Sequence, residues 1–247
     1  MTLTLTVVEL TERFPTFRVA VALLQGMQAG GATNTRVEAF AAAAEQEARA
    51  ALQGKAPADF AETQDWRAAY RAFGSKKTSY RNACEALLRR IQREGSLPRV
   101  LPLVDLYNAL SIKYRIPAGA DDLAKLVPPL AFRYARPGDS FYDLASDPAP
   151  DKPLADDPPA EGEVIYADSE KCLCRRWNWR QDARSRVTEA TTDAVVVLQT
   201  LAPDGAERLT QAAEDLDRIA GNDLGAACSW AVASADEPQV ALPFRRS

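Results

Sequence analysis

CLCRRWNWRQDARSRVTEATTDAVVVLQTL, residues 172 to 201, sets the densest aromatic and guanidinium chemistry of the chain directly before its most apolar run. Val195, Val196, Val197 and Leu198 form a short β-branched segment of the kind a buried strand gives. The whole stretch reads as strand, turn, strand. In an extended chain alternate side chains share a face, so Trp177 and Trp179 are expected to point one way while Arg176, Asn178 and Arg180 point the other. Within that polar row only Asn178 carries both donors and acceptors, which suits it to holding a neutral polar group in a pocket walled by the two indoles. A plainer reading stands beside this one, in which both tryptophans are core and the arginines are solvated.

Upstream of this stretch, Thr2 to Val8 alternates as an edge-type strand, and Phe17 to Leu24 reads as a more buried one. Gly26, Gly30 and Gly31 match no phosphate-loop spacing and are read as turn residues. Asn34 or Thr35 caps an alanine-rich helix to about Leu52. A second helix runs from Ala58 to Phe73 with Trp66, Ala69, Tyr70 and Phe73 on one face, and a third, capped by Ser79, from Tyr80 to Arg93. From Val104 to Leu110 the spacing is helical, placing Asp105 and Asn108 on one face, within reach of each other or of a bound group; the plainer reading makes them a cap and a loop-fixing amide. Pro117 to Asp121 reads as a turn of small residues, including Gly119 and Ala120, whose amides can approach a ligand. Strands are expected at Leu130 to Tyr134, Glu163 to Ala167 and Cys228 to Ala233, and a helix from Asp204 to about Ala220, stopped by Gly221. Residues 147 to 163, rich in Pro and Asp, read as an acidic surface loop. Strands and helices without a regular βαβ rhythm favour an α+β class with mixed sheets packed against helices. The division is one domain over 1–247: N-terminal strands and an alanine-rich helix (1–57), a motif-bearing core (58–201), and a C-terminal helix and strand (202–247).

The composition narrows the chemistry. With no histidine, a catalytic triad, an imidazole base and a histidine-bearing metal site are excluded. Any catalysis falls to carboxylates, amides, hydroxyls, a thiol, the backbone or the substrate's own groups. Neither a metal nor a cofactor is expected. Cys84, Cys172, Cys174 and Cys228 lack zinc or redox spacing and read as small buried hydrophobes. No run is apolar enough for a membrane span and the N-terminus lacks a basic signal region, so a cytoplasmic protein is expected. Charge is segregated: from Arg67 to Arg99 nine Lys or Arg face Glu85 and Glu94, a net +7, while from Asp139 to Glu170 ten carboxylates face Lys152, a net −9. The first region offers Arg67, Lys76, Lys77, Arg81, Arg89 and Arg90 to a polyanion such as tRNA, or is simply a solvated helical face.

Five motifs occur together in one order: LP-x-V-x-x-LVDLYN at 97–108, P-x-G-A-x-D-L at 117–123, FRYARPGDSF at 132–141, GEVIYAD at 162–168, and C-RRWNWRQ followed by V-T-x-x-T-T at 174–192. With these, the chain resembles the B3/B4 domain of the bacterial phenylalanyl-tRNA synthetase β subunit, and more closely the free-standing proteins built from that domain alone. The resemblance implies an α+β fold and an editing hydrolase, an aminoacyl-tRNA deacylase that cleaves a mischarged ester in trans and does not itself charge tRNA. Asn108 falls where the editing domain has the Asn of its V-D-x-x-N element, and Ala120 matches the small residue of its P-x-H-A turn. Gly119 replaces the histidine of that turn, Val197 falls at or near a late-strand glutamate, and R-W-N-W-R replaces a glycine-rich segment.

An aminoacyl ester is already activated, and a neighbouring ribose hydroxyl can assist, so positioned water and preorganised donors are the protein's main tasks. On this reading Asn108, Gly119 and Asn178 serve catalysis. Asp105, Tyr107, Ala120, Trp177 and Trp179 shape the binding site, and Arg176 and Arg180 meet the terminal phosphate or ribose. Two other readings remain open: a binding module for an amino acid or aminoacyl-tRNA, and a hydrolase or carrier for a small metabolite without nucleic acid.

Overall fold

The computed structural model describes residues 1–28, 34–145 and 156–244. Gly30, Gly31, residues 147–155 of the acidic stretch and the last three residues lie outside it. The described residues form ten strands and five α-helices. In chain order these are β1 (Thr2–Thr6), β2 (Arg18–Gln25), α1 (Thr35–Ala51), α2 (Ala61–Ala72), α3 (Ala83–Glu94), α4 (Pro102–Tyr114), β3 (Ala118–Asp122), β4 (Leu130–Tyr134), β5 (Val164–Ala167), β6 (Cys172–Arg175), β7 (Arg180–Gln181), β8 (Ala194–Thr200), α5 (Gly205–Asp223), β9 (Ala227–Ala233) and β10 (Gln239–Pro243).

Two sheets carry the fold, one ordered β10-β1-β4-β5-β6-β7 and the other β3-β8-β2-β9. The first is mixed, since β1 and β4 run parallel while its other pairs are antiparallel; the second is antiparallel throughout. This is an α+β architecture. β8 is buried along its whole length because both its faces are covered. Val195 and Val197 face the core between the sheets, together with Val19, Val21, Phe132 and Tyr166. Ala194, Val196 and Leu198 face the layer of α4 and α5, meeting Leu106, Leu110 and Leu216.

Several local expectations are corrected. β1 is an interior strand, because the unforeseen β10 pairs along its outer side. α3 begins at Ala83, and Asn82 rather than Ser79 caps it, accepting from the Glu85 N–H at 2.9 Å. α5 runs through Gly221 to Asp223, and Asp204 makes no side-chain capping bond. Pro117 to Asp121 is largely strand β3: the apolar run of β8 supplies a ladder that overrides the turn propensity of its small residues. Between β6 and β7 the RWNW segment is a tight turn, with φ of +45° at Arg176 and +70° at Trp177. Alternation therefore fails there. Trp177 turns fully into the core, while Trp179 is left half-buried against it.

Candidate functional site

Where the two sheets part at the open β3 edge, a cavity of about 280 Å³ is lined by α4, β3, β8, the first turn of α3 and the β6–β7 turn. That volume sits at the small end of ligand sites, near the size of an amino acid. Asn108 and Asn178 both border it, as do Tyr107, Gly119, Ala120 and Trp179, and Arg180 stands at its margin. Residues seventy positions apart in sequence thus meet because β3 pairs with β8 while the β6–β7 turn folds back over α3, with Asn178 O accepting from the Ala83 N–H at 2.9 Å.

The Asn178 side chain is buried and held at both ends. Its Oδ1 accepts from the Tyr70 hydroxyl at 2.8 Å, and its Nδ2 donates to Gln199 Oε1 at 3.2 Å. The Asn108 amide is different: it has no hydrogen-bond partner among the described residues and is half-buried at the cavity wall.

Gly119 lies directly opposite Val197, and both share the face that looks toward the first sheet. A Cβ built on Gly119 would meet nothing within 4 Å, so the missing side chain contributes open space rather than backbone freedom. Its amide has another use than the one expected of a turn. The Gln199 N–H donates to Pro117 O at 3.0 Å, and the two-residue alternation of an antiparallel ladder turns Gly119 toward β8 as well. The neighbouring Ala118 and Ala120 present their backbone groups to the open edge instead, where Ala120 O accepts from Gln181 Nε2 at 2.6 Å.

Three residues expected at the site lie elsewhere. Asp105 turns away to fix the segment before α4, accepting from the Val100 N–H at 2.9 Å. Trp177 is fully buried in the inter-sheet core, with ring centroids 4.8 Å from both Phe14 and Phe17 and 5.2 Å from Trp66. Arg176 stacks on Tyr80 and Trp179 at 3.8 and 4.4 Å and opens into a neighbouring cleft of about 390 Å³ with Ser75, Lys76 and Lys77. The adjacent Arg175, buried, is clamped by both oxygens of Glu163.

The basic segment divides in two. Glu85 is fully buried, and Arg67, Arg81 and Arg89 gather on it at 2.5, 3.7 and 2.9 Å, while Arg90 pairs with Glu94 at 2.7 Å. Lys76 and Lys77 are exposed at the rim of the Arg176 cleft.

Asp121 was not anticipated as a cavity residue. Two positions beyond Gly119 on an extended strand, its carboxyl falls on the same face, whereas the turn reading hid that relationship. It is 3% exposed, and its Oδ1 accepts from Ser185 Oγ at 2.6 Å and Gln181 Nε2 at 2.9 Å. Burial pushes its pKa up to about 6, with those two hydrogen bonds pulling the other way. Cys174 also borders the cavity, and burial holds its thiol well above the usual range, so it is a neutral SH group. Free cysteines account for all four positions.

Two packed sheets with a helix layer on one side define an α+β domain with an amino-acid-sized cavity at its sheet edge. Residues 65–223, well over half of the chain, match the B3/4 domain, and the chain belongs to that family. Among solved structures it is similar to an N-terminal fragment of the phenylalanyl-tRNA synthetase beta-subunit from Pyrococcus horikoshii, at 14% identity and a TM-score of 0.39. That likeness covers 51% of this chain and 41% of the fragment, so the match spans less than half of the longer partner. No curated protein sequence matches the chain. None of the described helices is long and apolar enough to cross a membrane.

Proposed function

We propose that this chain hydrolyses the ester bond of a mischarged aminoacyl-tRNA in trans, with the aminoacyl group in the cavity bounded by Asn108 and Asn178. The observation that carries the reading is the pairing of one free amide, Asn108, with one fixed amide, Asn178, across a space sized for an amino acid. Asn108 positions the attacking water or the ester carbonyl. Asn178 orients the acyl group, and the edge-facing N–H groups of Ala118 and Ala120 take the oxyanion role first considered for Gly119. Trp179 and Leu87 offer an apolar wall for a side chain. Arg180 is paired with Asp143 at 2.9 Å, which makes it a positioned cation at the entrance. Lys76 and Lys77 supply positive charge to the acceptor strand beyond it, at the rim of a cleft where Arg176 is held by Glu163 at 3.9 Å.

The test is release of amino acid from a panel of charged tRNAs. Asn108→Ala is expected to slow the susceptible member by about a hundredfold, the cost of one lost oxyanion or water contact. Wild-type rates in that variant would remove Asn108 from the chemistry. Absence of deacylation across the whole panel would end the reading.

A second reading, a non-catalytic binder of an amino acid or aminoacyl-tRNA, is favoured by one specific pair. Gly119 and Val197, the positions at which the resemblance places a histidine and a glutamate, are cross-strand neighbours that bring no polar side chain to the cavity. Tight binding of charged tRNA without turnover would decide for it.

A further inference from the structure

The cavity has a chemically distinct corner. Asp121 is the only carboxylate among the described residues that border it, and no Lys or Arg stands within ion-pair distance of it. Against the burial that raises the Asp121 pKa, Lys171 is the cation whose charge reaches Asp121 and lowers it, but its ammonium is committed to Asp168 at 2.7 Å and to Lys125 O at 2.8 Å. Arg180, the cation at the cavity margin, is held by Asp143. Only one Asp121 oxygen accepts hydrogen bonds from the protein, those of Ser185 and Gln181. A buried carboxylate without a cation is costly, and such groups are normally paired or neutralised.

Two phenols face the same corner. Tyr166, on β5, also borders the cavity, and its hydroxyl is buried with no hydrogen-bond partner. Tyr107, on α4, borders it from the opposite side. For both phenols Asp121 is the foremost charged neighbour, and from β6 the only titratable group is the neutral Cys174 thiol. The corner thus gathers an anionic oxygen left open on Asp121 and two phenol oxygens, one of them orphaned, that can accept from a bound group, and it holds no paired cation. A primary ammonium has three N–H donors and a positive charge, which is the complement of that set.

We propose that Asp121, with the Tyr166 and Tyr107 hydroxyls, forms an ammonium site that takes the free α-amino group of the ligand. This deepens the proposed deacylation by naming the substrate as an aminoacyl group with an unblocked amine. N-acylated aminoacyl groups are excluded, because acylation removes the charge and leaves Asp121 facing an amide. The side chain then lies against Trp179, Leu87 and Val197, and is apolar.

The experiment has a binding arm that needs no catalysis. Leucinamide and phenylalaninamide, with their N-acetyl derivatives, are titrated calorimetrically against the full chain at pH 7. At least one free amine is expected to bind about tenfold or more tightly than its N-acetyl form, and Asp121→Asn is expected to erase the difference. Tyr166→Phe removes a hydroxyl that the fold does not use, so it keeps wild-type stability and weakens the free amine by about tenfold. Equal binding of free and blocked forms, no binding of either, or an undiminished preference in Asp121→Asn would overturn the site. A second arm compares cleavage of aminoacyl-tRNA with that of its N-acetylated form. Equal cleavage of both overturns the ammonium site and leaves deacylation standing. Selective amine binding without cleavage does the reverse.

Discussion

The Tyr70 hydroxyl donates to Asn178 Oδ1 at 2.8 Å, and this bond decides which end of the Asn178 amide reaches Gln199. Tyr70 projects from α2, Asn178 sits in the β6–β7 turn and Gln199 lies near the end of β8, so one side-chain relay ties a helix to both sheets beside the cavity, which Asn178 and Gln199 line. Tyr70→Phe leaves Oδ1 buried without its donor, at a cost of about 1–3 kcal/mol in urea unfolding. The amide also loses its fixed orientation, so any ligand that Asn178 holds binds more weakly. A variant as stable as wild type, with unchanged ligand affinity, would show that the relay fixes nothing.

Asp121 makes a pH-dependent contribution whose sign runs against the usual carboxylate. Burial raises it from 3.8 to about 6, so between these values the folded state binds a proton that the unfolded state has released. Stability is lost as pH rises through that window, by on the order of 3 kcal/mol, and the full penalty is present at neutral pH. In Asp121→Asn, which keeps an acceptor for Ser185 and Gln181, that slope disappears. Urea midpoints for the two proteins at about pH 4.5 and pH 7 measure it as a difference, which cancels other groups such as Asp215, lowered to about 2 by Lys113, Arg218 and Tyr114. Parallel curves would mean that Asp121 is paired or hydrated.

Gly119 can be filled without disturbing the fold. It is an ordinary extended strand residue, and the space above it is empty to 4 Å. Gly119→Ile therefore supplies a β-branched residue at a strand position and is expected to retain or raise stability, by up to about 1 kcal/mol. The same side chain enters a cavity of only about 280 Å³ and blocks the ligand. A stable protein with no affinity is the predicted combination. Full affinity in Gly119→Ile would place the ligand elsewhere.

Much of this arrangement was readable from residue order. β2 and β8 declared themselves as apolar runs, and α2 through Trp66, Ala69 and Tyr70 at helical spacing, because burial imposes those periods directly. The expectation that Asn108 and Asn178 border one space joined the family motif that carries Asn108 to the donor and acceptor character of Asn178 in its row, since no local pattern relates α4 to a turn seventy residues later. What stayed hidden has identifiable causes. Two consecutive non-glycine residues at positive φ, Arg176 and Trp177, carry no compositional mark, so strict alternation was the default and sent Trp177 to the pocket instead of the core. β3 looked like a turn because Pro117, Gly119 and two alanines have low strand propensity, and only the partner strand β8 makes it extended. With that error Asp121 lost its place beside Gly119. The nine cations between 67 and 99 were countable, but whether each is free depends on Glu85, whose burial no charge tally reveals.

That last distinction yields a prediction about nucleic acid. Arg67 donates two hydrogen bonds to the fully buried Glu85, through Nε at 3.1 Å and Nη2 at 2.5 Å, and Arg89 adds a third at 2.9 Å. These guanidiniums neutralise a carboxylate that the fold has desolvated, so they are poorly available to phosphate. Lys76 and Lys77 carry no such obligation; both are exposed, beside the buried and unpartnered Arg176 Nη1 and Ser75 Oγ. If tRNA docks here, the double variant Lys76→Ala, Lys77→Ala keeps its stability and loses about 1.5–2 units from the slope of log affinity against log salt. Arg67→Ala gives the opposite pattern, a stability loss of about 1–3 kcal/mol with the salt slope nearly intact. Equilibrium titrations with charged tRNA at several salt concentrations, alongside urea melts, separate the two. A salt slope that falls with Arg67 and ignores the lysines would move the nucleic-acid surface from the Arg176 cleft to the side where Arg67 of α2 meets Glu85 of α3.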